Sequence, residues 1–256
     1  MTDMDHVKPF VHQQEGHTLL QFSLHTVQSR MDPARPDALT LGYTQLMMGF
    51  LLCLPQPARI AMVGLGGGSL AKFCHRHLPQ AHIEVAEINP HVLALREAFA
   101  VPPDSERFQV RLTDGAAFVR DAAPQPWDVL LVDGFDYEGL PEALSSQVFY
   151  DDCDRALGPH GLLVANLPSA HAALAQQVER MRRSFGGAAL VVDDADQGNC
   201  IVFAGRQAVA TRLHAGTARK PRGMDAQAWA SLQPAFARIW AAARAEVAAI
   251  ARDALR

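Results

Sequence analysis

The chain has no apolar run long enough to cross a bilayer: the best candidate, Leu46 to Leu54, is short and stops at Pro55. Met1 to Pro9 carries two Asp and no apolar core, so it does not read as a signal peptide. The four cysteines (Cys53, Cys74, Cys153, Cys200) lie far apart, with no CxxC or Cys/His spacing, and read as buried free thiols of a reducing cytoplasm. Positive charge is not in excess. With 23 Lys and Arg against 27 Asp and Glu the formal net charge is −4, so the electrostatic footprint of a nucleic-acid binder is missing. His75 and His77 tempt a metal reading, but residues two apart point away from each other on a helix, and no metal site is expected. No internal repeat is present. These absences point to a cytoplasmic protein with no membrane, nucleic-acid or metal partner.

What is present is a globular composition, with 49% hydrophobic and 20% charged residues over 256 positions. The organising stretch is Arg59-Ile60-Ala61-Met62-Val63-Gly64-Leu65-Gly66-Gly67-Gly68-Ser69-Leu70, followed by helical spacing through Ala71, Phe73, Cys74 and Leu78. It has the pattern of a buried parallel strand, a tight turn and a helix N-terminus, where glycines let a nucleotide-like ligand approach the backbone. Upstream, residues 1 to about 15 are polar and expected to fray, and His17–Val27 suits a short β-ribbon. Thr40–Leu54 reads as one mostly buried helix, stopped by Pro55-Gln56-Pro57. That proline pair divides a small N-terminal unit, 1–56, from a larger one, 57–256.

Beyond it strands and helices alternate. Strands are expected at Ile60–Val63, Ala81–Ala86, Phe108–Leu112, Trp127–Val132 and Gly161–Asn166. Helices are expected at Ser69–His77, Pro90–Phe99, Gly115–Arg120, Ser146–Leu157 and about Ala170–Ser184. Two last strands, Ala188–Val192 and Asn199–Ala204, are joined by the acidic turn Asp193–Gly198. A parallel crossover needs about a dozen residues, so this pair must be antiparallel. The fold class is therefore α/β: a mostly parallel seven-stranded sheet with one reversed strand, plus the N-terminal ribbon. Dinucleotide-binding sheets usually lack the reversed strand, whereas Rossmann-like S-adenosylmethionine-dependent transferases have it. The Ala-rich tail from Asp225, with Trp229, Leu232, Phe236, Ile239 and Trp240 on one side, reads as a helical cover or an oligomer contact.

Ligands of open α/β sheets sit outside the carboxyl ends of the strands. The first end carries the glycine loop, with Gly64, Gly66 and Gly68 placed to line it. The second carries Glu87-Ile88-Asn89, where the acid can accept both hydroxyls of a ribose. The third carries Asp114-Gly115, either a helix cap or a contact to the adenine edge. The fourth, Val132-Asp133-Gly134-Phe135-Asp136-Tyr137-Glu138, empties three acids into six residues, which implies a cationic partner such as a sulfonium or an amine. Asp136 is the best candidate to orient an attacking amine and accept its proton.

Together these motifs resemble the polyamine aminopropyltransferases, the spermidine synthase family, over about Leu19 to Ala204. In that family the glycine loop reads roughly GGGDGG, the second strand ends in E-I-D, the third in D-G, and the fourth in V-D-(S/T)-(S/T)-D-P ahead of a helix containing F-Y. Here the counterparts are Gly64–Ser69, Glu87-Ile88-Asn89, Asp114-Gly115, Val132–Asp136 and Phe149-Tyr150, with Gln28 and Tyr43 matching a Gln and a Tyr of the N-terminal gate. The resemblance implies that Glu87 and Ile88 hold the nucleoside with Asp114, Gly115 and Asp133, and that Gln28, Tyr43, Asp136 and Tyr137 meet the amine. It further implies that Asp136 is the acid–base group and that decarboxylated S-adenosylmethionine, or S-adenosylmethionine itself, is the co-substrate, while the apolar tail and the short ribbon point to a homodimer.

The chain departs from the family at named places. Gly67 replaces the loop Asp that helps hold the aminopropyl amine, Tyr137 replaces the proline, and Thr44 and Gln45 stand where His or Gln and then Glu are usual. The loop from Gln28 to Tyr43 is longer than usual, and the ribbon is short. Three readings follow. The first is aminopropyl transfer to a diamine such as putrescine. The second is another S-adenosylmethionine-dependent transfer, methyl being the simplest, and the third a non-catalytic nucleoside-binding partner. A dehydrogenase fits less well, because Ser69 occupies the last glycine position of GxGxxG.

Overall fold

The computed structural model describes residues 6–23, 26–122, 125–134, 141–169, 172–187, 189–194, 198–206, 211–213 and 218–253. The chain begins with β1 (Phe10–Gln14), β2 (His17–Ser23), β3 (Thr26–Met31), α1 (Gly42–Met47) and a 3₁₀ turn (Met48–Leu52). It continues through β4 (Arg59–Val63), α2 (Ser69–His77), β5 (His82–Glu87), α3 (Pro90–Leu93), β6 (Phe108–Leu112), α4 (Gly115–Arg120) and β7 (Trp127–Val132). A 3₁₀ turn (Glu142–Leu144), α5 (Gln147–Ala156), β8 (Leu157–Pro168), α6 (Leu174–Ser184), β9 (Ala189–Asp194) and β10 (Asn199–Ala204) follow, and α7 (Ala226–Ser231) and α8 (Gln233–Asp253) close it.

Alternation along the strands sets the layering. Ile60 and Met62 of β4 face one hydrophobic cluster while Ala61 and Val63 face another. The same split separates Val129 and Leu131 from Leu130 and Val132, and Ile201 and Phe203 from Val202 and Ala204. A parallel sheet apolar on both faces must be covered on both. α1, α2 and α8 supply residues to the first cluster, and α4, α5 and α6 to the second. The strand order is β6-β5-β4-β7-β8-β10-β9, and β10 runs antiparallel to both β8 and β9. The reversed strand is thus the one that the short acidic turn demands.

Four local expectations are corrected. Residues 10–14 form β1, paired with β2 from Phe10↔Gln21 to Gln14↔His17 and turning at Glu15 (φ +50°) and Gly16 (φ +77°). Its side chains are all exposed, so the strand is held by backbone pairing and leaves no burial pattern to read. The expected single helix 40–54 is α1 followed by the 3₁₀ turn, both buried. The helix expected at 90–99 stops at Leu93, where i→i−3 bonds (Leu95 N–H to Val92, Arg96 N–H to Leu93) tighten the chain and carry Phe99 into the core. The helix begun at Ser146 ends at Ala156, and β8 already starts at Leu157. The tail forms the helical cover, with Phe236, Ile239 and Ala243 buried at helical spacing in the first cluster.

Gly49 fixes how closely this cover approaches. A Cβ there would lie 2.4 Å from Ile239 Cδ1 and 2.7 Å from Phe203 Cζ, both in fully buried side chains. Gly49→Ala is therefore expected to overpack the first cluster and cost roughly 1–3 kcal/mol. A lowered urea midpoint at unchanged slope checks this, and an unchanged midpoint contradicts it.

Candidate active site

The site grows from the meeting of β4, β5 and β7. The Asp133 N–H donates to the Val63 carbonyl, and the Gly64 N–H to Ala86, so three strand ends are drawn together. A Cβ on Gly64 would lie 2.2 Å from the Asp133 carbonyl oxygen, and its φ is +94°, so only glycine fits. Next to it the Glu87 carboxylate accepts from the Leu65 N–H through Oε2 and from the Asn89 N–H through Oε1, both at 2.8 Å. Glu87 is only 7% exposed, so these charge-assisted bonds also meet the polar demand of burial.

At the other end, Asp133 is buried among neutral donors. Asn166 Nδ2 donates to its Oδ1 at 2.9 Å and the Tyr43 hydroxyl to its Oδ2 at 3.2 Å. Burial pushes the Asp133 carboxyl above its usual range, and the bonds from Asn166 and Tyr43 partly offset that rise. Burial and the adjacent carboxylate hold the Tyr43 phenol well above its ordinary value, so Tyr43 acts here as a neutral donor.

The N-terminal sheet closes over the loop. Ser29 of β3 accepts from the Gly67 N–H at 2.8 Å, and a Cβ on Gly67 would meet both Ser29 Cβ and Phe99 Cδ1 at 2.8 Å. The position where a loop carboxylate was missed is therefore filled from outside. Gln45 is spent elsewhere, its Nε2 donating to the Leu39 carbonyl, while Thr44 lines the site.

Together these pieces enclose a cavity of about 430 Å³. Of the residues singled out from sequence, Gly64, Gly66, Glu87, Ile88, Asp114, Gly115, Asp133, Gln28 and Tyr43 line it. Gly68 does not; it caps α2 in the left-handed conformation (φ +70°). Asp114 is both a wall residue and the cap of α4, its Oδ1 accepting from the Ala117 N–H at 2.7 Å. Asp136 and Tyr137 lie outside the described residues. Phe149 and Tyr150 are core residues of α5. Ser29 and Asn166 were missed. Asn166 follows the apolar run 161–165 at the fifth strand end, a signal open to the same reasoning, whereas Ser29 offers none. Among the described lining residues the charged side chains are the carboxylates of Glu87, Asp114 and Asp133, with His6 nearby and no Lys or Arg. Among the described residues no cluster of metal-ligating side chains occurs.

The family profile described as "Spermine/spermidine synthase domain" matches residues 40–191, more than half of the chain. The chain belongs to the spermine/spermidine synthase family. A polyamine aminopropyltransferase of Chromobacterium violaceum is 39% identical over 73% of this chain and 72% of its own length. In structure, a probable spermidine synthase from Corynebacterium glutamicum aligns with a TM-score of 0.69 at 19% identity, covering 89% of this chain and 91% of that one. A spermidine synthase in complex with the transition-state analogue AdoDATO aligns at 0.58 with 16% identity, covering 86% of this chain and 78% of that one. These two likenesses are of fold.

Because the Tyr43 hydrogen bond lowers the Asp133 carboxyl, Tyr43→Phe should move its titration to higher pH. Carbon-detected NMR of the labelled carboxyl reads the change directly, and an unmoved or lowered midpoint contradicts the pairing. The lost bond should cost about 1 kcal/mol of stability.

Proposed function

We propose that this protein is an aminopropyltransferase that moves the aminopropyl group of decarboxylated S-adenosylmethionine to a diamine such as putrescine. The observation that carries this reading is the charge of the cavity: carboxylates at both ends and, among the described lining residues, no Lys or Arg. A sulfonium donor and an amine acceptor are cations that such walls favour. A donor that kept its α-carboxylate would bring an anion to a cavity whose described lining holds three carboxylates and, among its basic side chains, only the His6 imidazole.

In the proposed arrangement Glu87 accepts from the ribose hydroxyls with the lone pairs left by Leu65 and Asn89, and Ile88, Asp114 and Gly115 border the adenine. Asp133, held by Tyr43 and Asn166, faces the reacting end with Gln28, and Asp136 and Tyr137 complete it. The amine nitrogen attacks the methylene carbon bonded to sulfur. The carbon–sulfur bond breaks with its electron pair going to sulfur, which releases methylthioadenosine, and the surplus proton of the new ammonium passes to a carboxylate. Asp136 is the residue we assign to that proton, with Asp133 fixing the amine. The family membership and the acidic strand ends support this assignment.

The division into a ribbon with its gate helix (1–56) and a nucleoside-binding catalytic unit (57–256) is one of role, since α1 shares the first core cluster with β4 and α8. No helix among the described residues is long and apolar enough to cross a membrane. The four free cysteines support a place in the reducing cytoplasm. The exposed Phe10 and Val11 of β1 support a homodimer.

Glu87→Ala should remove most of the affinity for S-adenosyl ligands in calorimetry, and unchanged affinity would overturn the nucleoside assignment. A thermal-shift series with decarboxylated S-adenosylmethionine, S-adenosylmethionine and methylthioadenosine should rank the decarboxylated donor above the carboxylated one. The reverse order would favour methyl transfer. Asp136→Asn should abolish turnover while leaving donor binding nearly intact.

A further inference from the structure

Ahead of β1, the segment from His6 to Pro9 runs to the nucleoside end of the cavity. There His6 and Val7 form part of the wall together with Ile88 and Asn89. A hydrogen bond ties the segment down: Asn89 Nδ2 donates to the Val7 carbonyl at 2.9 Å. Asn89 is 8% exposed, and each of its other polar groups near the site is also engaged. Its N–H donates to Glu87 Oε1 at 2.8 Å, and its Oδ1 accepts from the His91 N–H at 2.9 Å, which caps α3. An aspartate here would keep both of those bonds. Only the bond to Val7 requires the amide, because a carboxylate has no proton to offer the carbonyl.

We propose that the N-terminal segment is a strap that completes the nucleoside site, with Asn89 as its positioning residue. The proposal rests on the S-adenosyl reading of the cavity. Val7 and Ile88 give that end apolar surface, and the bond to Asn89 pre-orders the segment, so binding does not have to supply the ordering entropy. Because Asn89 also donates to Glu87, strap and carboxylate are set by one residue.

The test is a cycle of four full-length or trimmed proteins: wild type, Asn89→Asp, a deletion of residues 1–8, and the two changes combined. Asn89→Asp should raise the donor KM about fivefold, the worth of one ordinary hydrogen bond, without a comparable change in kcat or in the amine KM. The deletion should raise the donor KM at least as much, and adding Asn89→Asp to it should change nothing further. In the absence of ligand, hydrogen exchange of the peptide that carries residues 6–9 should be slower in the wild type than in Asn89→Asp. An unchanged donor KM in Asn89→Asp overturns the strap. So does a loss that persists in the deletion background, since it would place the effect on charge next to Glu87. If the wild type binds no S-adenosyl ligand, the functional reading falls and the strap with it. If it binds and the variants match it, the strap alone falls.

Discussion

The Glu87 carboxylate, caught between the Leu65 and Asn89 N–H groups, is the contact on which the site depends. One oxygen holds the glycine loop after β4 and the other the turn after β5, so a single buried carboxylate reinforces the backbone pairing that joins the two strand ends. It also decides what the loop can hold. In a phosphate-binding loop, backbone N–H groups face the anionic ligand. Here the Leu65 N–H is already spent on a carboxylate, and the fixed negative charge repels phosphate while its remaining lone pairs suit hydroxyl donors. That chemistry suits the nucleoside cradle we propose for the glycine loop.

A second constraint acts from above. Ser29 reaches down from the N-terminal sheet to the Gly67 N–H, and Phe99 fills the remaining space beside it. Gly67 is therefore more than a missing acid, because its neighbours have taken the volume that a side chain would need. Gly67, the seryl contact and the inward path of residues 94–100 form one packing solution. In the proposed function, recognition of a cationic donor is left to the strand-end carboxylates, among which Asp133 has its carboxyl raised by burial and is steadied by Tyr43 and Asn166.

Much of the fold is legible in the sequence wherever burial writes a pattern. The bounds of α2, β6, α4, β7 and β10 follow from apolar runs and their caps, and the reversed strand follows from the shortness of the turn at 193–198. What stays hidden is what burial does not record. β1 is all exposed and exists through backbone pairing, so its composition looks like a frayed end. The stop at Leu93 depends on where Phe99 must go, a tertiary demand that overrides the helical spacing of residues 90–99. The positions of Glu87, Asp114 and Asp133 on the cavity wall could be read because each stands at or just after the carboxyl end of a strand. Ser29 could not be read, because a lone serine in a ribbon becomes informative only once the glycine loop is seen beneath it.

A cavity walled by carboxylates suits the transfer of an aminopropyl group between two cationic molecules. The most direct test is mass spectrometry of putrescine incubated with the protein and either donor. Decarboxylated S-adenosylmethionine should yield spermidine and an equal amount of methylthioadenosine, while S-adenosylmethionine should yield neither. A methylated acceptor together with S-adenosylhomocysteine would contradict aminopropyl transfer.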